Sequence, residues 1–156
     1  MIANIRVLTD GNSRSLCQLD LMKFSKEAVL ARMEERGIKE DSFFICGFSD
    51  WEVDSIMSLQ EAYLLKKVIL ELYDGDDFLV QHMLKHHQSP SFIMSHYYRF
   101  VSKDETALMK QLLEGADMNS VVEFFFQASS WVRAIQAYID QGVVLNTSKG
   151  FYVSCE

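Results

Sequence analysis

Strand patterns stand at both ends of this chain, and helical periodicity dominates between them. That segregation limits the fold more than any single motif, because a parallel doubly wound sheet needs the two periodicities interleaved throughout. Ile2 to Leu8 alternates apolar residues with Ala3, Asn4 and Arg6, and Ser15 to Leu21 alternates again. Between them Thr9-Asp10-Gly11-Asn12-Ser13 is a turn cluster, so the opening predicts a β-hairpin. Ser42 to Phe48 is an aromatic-rich apolar run that predicts a buried third strand. At the far end, Val143-Val144-Leu145 and Phe151-Tyr152-Val153 flank Asn146-Thr147-Ser148-Lys149-Gly150, a second hairpin.

The middle carries helix signals. Ser25 reads as an N-cap for a short helix with Val29, Leu30 and Met33 on one face and Gly37 just past its end. Ser58-Leu59-Gln60-Glu61 is a capping box opening a helix through Leu72, with Leu59, Ala62, Tyr63, Leu65, Ile69 and Leu72 offered to the core. Tyr73-Asp74-Gly75-Asp76-Asp77 ends it. Four helices are then expected: Phe78 to His87, Pro90 to about Val101, Glu105 to Leu113, and Met118 to about Ile139. The class expected is α+β, with a small N-terminal antiparallel sheet with helices, a helical middle and a C-terminal β-hairpin. Two subdomains are expected, an acidic α+β part over 1–77 and a mainly helical part over 78–156.

The net charge of −7 is unevenly placed. Residues 34–77 hold the carboxylates Glu34, Glu35, Glu40, Asp41, Asp50, Glu52, Asp54, Glu61, Glu71, Asp74, Asp76 and Asp77. Their only cations are Arg36, Lys39, Lys66 and Lys67, a segment charge of −8. Such a field repels nucleic acid and steers basic partners. All of these acids except Glu71 are taken as candidate partner-binding residues. No apolar run approaches the ~20 residues a membrane helix needs, and Met1-Ile2-Ala3-Asn4-Ile5-Arg6 has no signal-peptide pattern. A cytoplasmic protein with no membrane partner is expected. Cys17, Cys46 and Cys155 are odd in number and widely spaced, so buried free thiols are expected.

Signatures of catalysis are missing. There is no Walker loop, no Gly-x-Gly-x-x-Gly and no Gly-x-Ser-x-Gly elbow. Asp74-Gly75-Asp76-Asp77 lacks the alternating ligands and closing glutamate of a calcium loop. His82 and His86 share a helix face at a spacing zinc can use, but no neighbouring cysteine completes a set, and His96 is the one other candidate. No helix carries a basic stripe for nucleic acid. Phe124-Phe125-Phe126 with Trp131 reads as core or subunit contact rather than a stacking platform, and Tyr97, Tyr98 and Phe100 are similarly ambiguous. The expectation is a non-enzyme with no cofactor and no metal.

Phe44-Ile45-Cys46-Gly47-Phe48-Ser49-Asp50-Trp51-Glu52 followed by Ser58-Leu59-Gln60-Glu61-Ala62 resembles the ArdA antirestriction family, in which a strand leads into an acidic segment and then a helix. Tyr138-Ile139-Asp140 and Gly150-Phe151-Tyr152-Val153 resemble that family's ending. The resemblance implies an elongated, usually dimeric mimic of bent DNA that blocks type I restriction–modification enzymes. Residues 78–156 depart from the family, with a net charge of only −1. The expected function is therefore inhibition, by acidic DNA mimicry, of a type I enzyme or a related nucleic-acid-guided defence complex. The setting would be a phage or mobile element evading host defence. The alternative is a non-catalytic interaction or regulatory module without mimicry.

Overall fold

The computed structural model describes residues 1–155, and the fold is α+β. Two compact units divide the chain, Met1–Ser95 and the residues from His96 onward. The division falls after Ser95, whereas the break in charge falls after Asp77, so the first two helices beyond the acidic segment belong to the first unit.

In that unit β1 (Ile2–Thr9) and β2 (Asn12–Asp20) form the expected hairpin. Asp10 and Gly11 both take positive φ, 49° and 78°, as a tight two-residue turn requires if its twist is to match the strands. β3 (Phe43–Phe48) pairs antiparallel with the other side of β1, and β4 (Val53–Met57) pairs with β3, giving the order β2-β1-β3-β4. β4 was not foreseen, because Asp50, Glu52 and Asp54 give the stretch the look of an acidic loop. Pairing with β3 overrides that local signal, and Val53 and Met57 are buried while Asp54 and Ile56 face out.

Ala3, Ile5 and Val7 of β1 make the buried face, and the register sets Leu19, Cys17, Phe43 and Ile45 beside them. α1 (Lys26–Glu35) and α2 (Leu59–Leu72) add Val29 and Met33, and Leu59, Ala62, Leu65, Val68 and Ile69, to this unit's core. Each of these side chains except Ala62 contributes about 1.5–3 kcal/mol when fully buried. Ser25 caps α1 by accepting from the Ala28 N–H, and Gly37 turns the chain away at φ 71°. The Ser58–Glu61 capping box is present in both directions. Two positions differ from expectation: Tyr63 is only half-buried, its hydroxyl donating to the Phe24 carbonyl at 2.9 Å, and Leu72 is exposed at the last turn. α3 (Phe78–Lys85) and α4 (Pro90–Ser95) close the unit.

The second unit corrects two expectations. The helix at Pro90 stops at Ser95, and Tyr97–Ser102 is a strand, β5, pairing with the chain's last strand. A run of Tyr97, Tyr98, Phe100 and Val101 favours extended backbone once a partner strand exists. Tyr98 is buried there and its hydroxyl donates to the Gly142 carbonyl at 2.6 Å. The single helix expected over Met118–Ile139 is two, α6 (Met118–Ala128) and α7 (Trp131–Asp140), following α5 (Glu105–Leu112). Ser129 sits in the left-handed region at φ 57°, and the Ser130 hydroxyl accepts from the Arg133 N–H as a fresh N-cap. The C-terminal hairpin is β6 (Val144–Thr147) and β7 (Gly150–Cys155), in a three-stranded sheet ordered β5-β7-β6. Leu108, Met109, Ala134, Ile135, Val144 and Phe151 form its core. The three cysteines are free but half-buried rather than buried, on β2, β3 and β7.

Candidate functional site

β3 sorts the acidic residues into two groups. Antiparallel pairing with β1 puts Phe43 beside Val7 and Phe48 beside Ala3. The two ends of this six-residue strand are therefore about 17 Å apart. Glu40 and Asp41 lie in the 3-10 turn that enters β3, and Glu34 and Glu35 end α1 just upstream, all exposed. Asp50 and Glu52 lie in the turn leaving β3, with Asp54 on β4. That second group is joined by the α2–α3 turn. The buried Trp51 indole N–H donates to Asp77 Oδ2 at 2.9 Å, which draws Asp74, Asp76 and Asp77 to the end of the sheet that carries Asp50 and Glu52. Glu52 and Asp74 hold positive φ, 53° and 51°, in the sharp turns that present them.

The acids have different employments. Asp50 forms an ion pair with the N-terminal ammonium at 2.6 Å and accepts from the Ile2 N–H at 2.7 Å, so it pins the first strand. Glu61 accepts from the Ser58 N–H at 2.8 Å in the capping box. Asp77 receives Trp51 on one oxygen and the Gln81 amide, at 2.7 Å, on the other. Asp76 accepts from the Phe78 N–H at 3.0 Å at the start of α3. Glu40 faces Lys26 at 3.7 Å and Asp41 accepts from the Ser42 hydroxyl at 3.2 Å. Glu34, Glu35, Glu52, Asp54 and Asp74 carry out no internal task and are exposed. No lysine or arginine lies within 40–65 or 68–84, and the two cations between, Lys66 and Lys67, are directed to the Leu21 carbonyl and to Glu71.

His82 and His86 lie with ring centroids 4.2 Å apart and planes tilted by 33°, and His86 Nδ1 lies 2.8 Å from the His82 carbonyl oxygen. Burial, with the adjacent His86 adding to it, holds the His82 imidazole below its ordinary range. Among the described residues no three His, Cys, Asp or Glu side chains converge in a way that would hold a metal ion. Burial likewise pushes the Cys17 thiol up, and nearby Arg36 pulls it partly back.

One feature of the second unit exceeds what the aromatic pattern suggests. α6 buries no residue, and Met118, Val122 and Phe126 form an exposed stripe at one-turn intervals, Phe126 being 85% exposed. Trp131 lies edge-on to Phe125 at 4.1 Å, and Val132 is exposed beyond it. A groove of about 440 Å³ adjoins the stripe, between Met109 and Leu113 of the α5 region and Val121 and Trp131. Among the described residues no helix is long and apolar enough to cross a membrane. No protein-family model, curated protein or solved structure matches this chain.

Proposed function

We propose that this protein is a non-catalytic inhibitor that occupies the DNA-binding groove of a host DNA-processing defence enzyme, presenting carboxylates where the enzyme expects phosphates. The target class is a type I restriction–modification enzyme or a related nucleic-acid-guided complex. The observation that carries the reading is the gathering of two acidic turns by the Trp51–Asp77 hydrogen bond, in sequence segments free of lysine and arginine. A duplex carries one charge per ~1.7 Å of axis, so the ~17 Å between the two acidic groups corresponds to about ten phosphates. Of the carboxylates in the two groups, Glu34, Glu35, Glu52, Asp54 and Asp74 have no internal partner and are free to meet a basic groove. The resemblance of residues 44–52 and 58–62 to the ArdA family supports the same reading.

Self-association through α6 belongs to the proposal. The exposed parts of Met118, Val122, Phe126, Trp131 and Val132 sum to an apolar area on the order of 500 Å². A monomer rarely leaves more than a few hundred Å² bare in one patch, and a standard interface covers about 800 Å² per partner.

The test is inhibition of a purified type I enzyme in competition with its DNA, comparing wild type with Glu52→Lys/Asp54→Lys/Asp74→Lys. These three acids have no internal partner, so the substitutions remove no hydrogen bond or ion pair of the fold, and far-UV circular dichroism checks that the positive-φ turns at Glu52 and Asp74 persist. Inhibition should fall at least about tenfold, and each lost contact should flatten the log–log salt slope by about 0.9. Unchanged inhibition with an unchanged slope would sink the proposal.

A further inference from the structure

The side of the first unit opposite in character to its acidic ends is a groove of about 440 Å³ between β2 and α1. One wall is Cys17, Gln18 and Leu19 of β2, and the other is a stripe of α1 carrying Arg32 and Arg36, with Phe24, Val29 and Met33 supplying an apolar floor. β2 is an outer strand: it pairs with β1 alone, and the backbone groups of Leu16 to Leu19 make no hydrogen bond beyond that pairing among the described residues. Cys17 and Leu19 lie opposite Ile5 and Ala3 in the register, so they share the core face of the sheet, yet they are only half-buried because α1 leaves them partly uncovered. Arg32 and Arg36 are exposed and make no ion pair or side-chain hydrogen bond. Arg14, opposite Val7, extends basic character further along the same face of β2.

We infer that this groove binds an extended acidic peptide segment of a partner protein, which adds to the sheet as a strand beside β2 and places carboxylates against Arg32 and Arg36. The two requirements point to one occupant. An unpaired row of backbone N–H and C=O groups is completed by another extended backbone. A floor of apolar side chains beneath a pair of guanidiniums calls for a segment with both apolar and carboxylate groups on one face, since guanidinium binds carboxylate in a fork geometry. The spacing agrees: residues four apart on a helix rise about 6 Å, and next-but-one residues on a strand are about 6.8 Å apart. Consecutive groove-facing positions of the peptide thus match the step between the two arginines. This site is independent of the acidic surface and stands or falls separately from it.

The probe is a fluorescein-labelled, end-blocked peptide of sequence Ser-Val-Ser-Glu-Ser-Glu-Ser, whose two Glu residues take consecutive groove-facing positions, with a twin carrying Gln for Glu and a second twin N-methylated at alternate residues. Binding is read by anisotropy and by the rate of Cys17 alkylation in a Cys46→Ser/Cys155→Ser background. The expected result is saturable binding that slows alkylation. The Gln twin, and Arg32→Ala/Arg36→Ala with the parent peptide, should bind about tenfold more weakly. The N-methylated twin, which cannot complete the strand ladder, should not bind. Both arginines are at the surface, and the peptide twins use unaltered arginines, so misfolding cannot imitate this pattern. The inference is overturned if no binding appears by about 1 mM, if the N-methylated twin binds equally, or if the arginine variant binds as wild type. It is also overturned if decanoate protects Cys17 where the peptide does not, which would make the groove an amphiphile site.

Discussion

Replacing Asp77 by alanine removes the acceptor of the Trp51 indole N–H, and the structure sets how much that should cost. Trp51 is 3% exposed and packs on Phe48 with ring centroids 4.6 Å apart, so water does not readily take the place of the carboxylate. A buried donor left without a partner costs about 1–3 kcal/mol, and the lost acceptor is ionised, which places the expectation near 2 kcal/mol. The bond to Gln81, between two polar side chains that are each partly exposed, goes with it. For a domain of this unit's size, a urea m-value of about 1–2 kcal/mol/M converts that loss to a midpoint lowered by about 1–2 M. The assay is urea unfolding followed by Trp51 fluorescence in a Trp131→Phe background, so that only the first unit reports. Asp77→Asn retains an acceptor oxygen and should lose no more than about 1 kcal/mol. In a double-mutant cycle with Trp51→Phe the coupling should be about 1–2 kcal/mol. If Asp77→Ala unfolds at the wild-type midpoint, or the coupling is zero, the two acidic turns are not held together by this bond and the argument for the gathered site fails with it.

Gly47→Ala should destabilise the first unit by about 3 kcal/mol or prevent its folding, because a Cβ there would come within 2.2 Å of the Val53 carbonyl oxygen, a backbone atom that cannot step aside; urea unfolding reads it. His82 has a lowered pKa in the fold, so the unfolded chain takes up the proton first: stability is full above the unfolded value of about 6.5 and falls as pH drops below it. His82→Gln should flatten that part of the pH–stability profile, and an unaltered profile would remove His82 as the cause. On the proposed self-association through α6, Phe126→Ser should shift the sedimentation equilibrium toward monomer while leaving thermal unfolding nearly unchanged, since Phe126 is 85% exposed on its own chain.

Local chemistry wrote much of this fold into the sequence. Asp10-Gly11 specifies a tight turn, Ser25 and Ser58 start helices, and Gly37, Gly75 and Gly142 stop them, because each acts on backbone within a few residues of itself. The break between α6 and α7 was equally local, a Ser129-Ser130 cap legible in principle but masked by apolar residues that continue at helical spacing on both sides of it. What the sequence could not supply was any fact that depends on a distant partner. β4 and β5 became strands because β3 and β7 offered edges to pair with, against an acidic composition in one case and a neighbouring helix signal in the other. The concentration of negative charge in residues 34–77 was visible at once, but the division of labour within it was not. Asp50 serves the N-terminus and Asp77 serves Trp51, whereas Glu34, Glu35, Glu52, Asp54 and Asp74 stand unengaged. The basic groove beside β2 was equally hidden, since nothing local links Arg32 and Arg36 to Cys17 and Leu19. Charge is a property of residues and adds along a chain, so sequence determines how much of it there is. Which carboxylates are free to meet a partner is a property of contacts, and contacts between residues far apart in sequence exist only once the chain has folded.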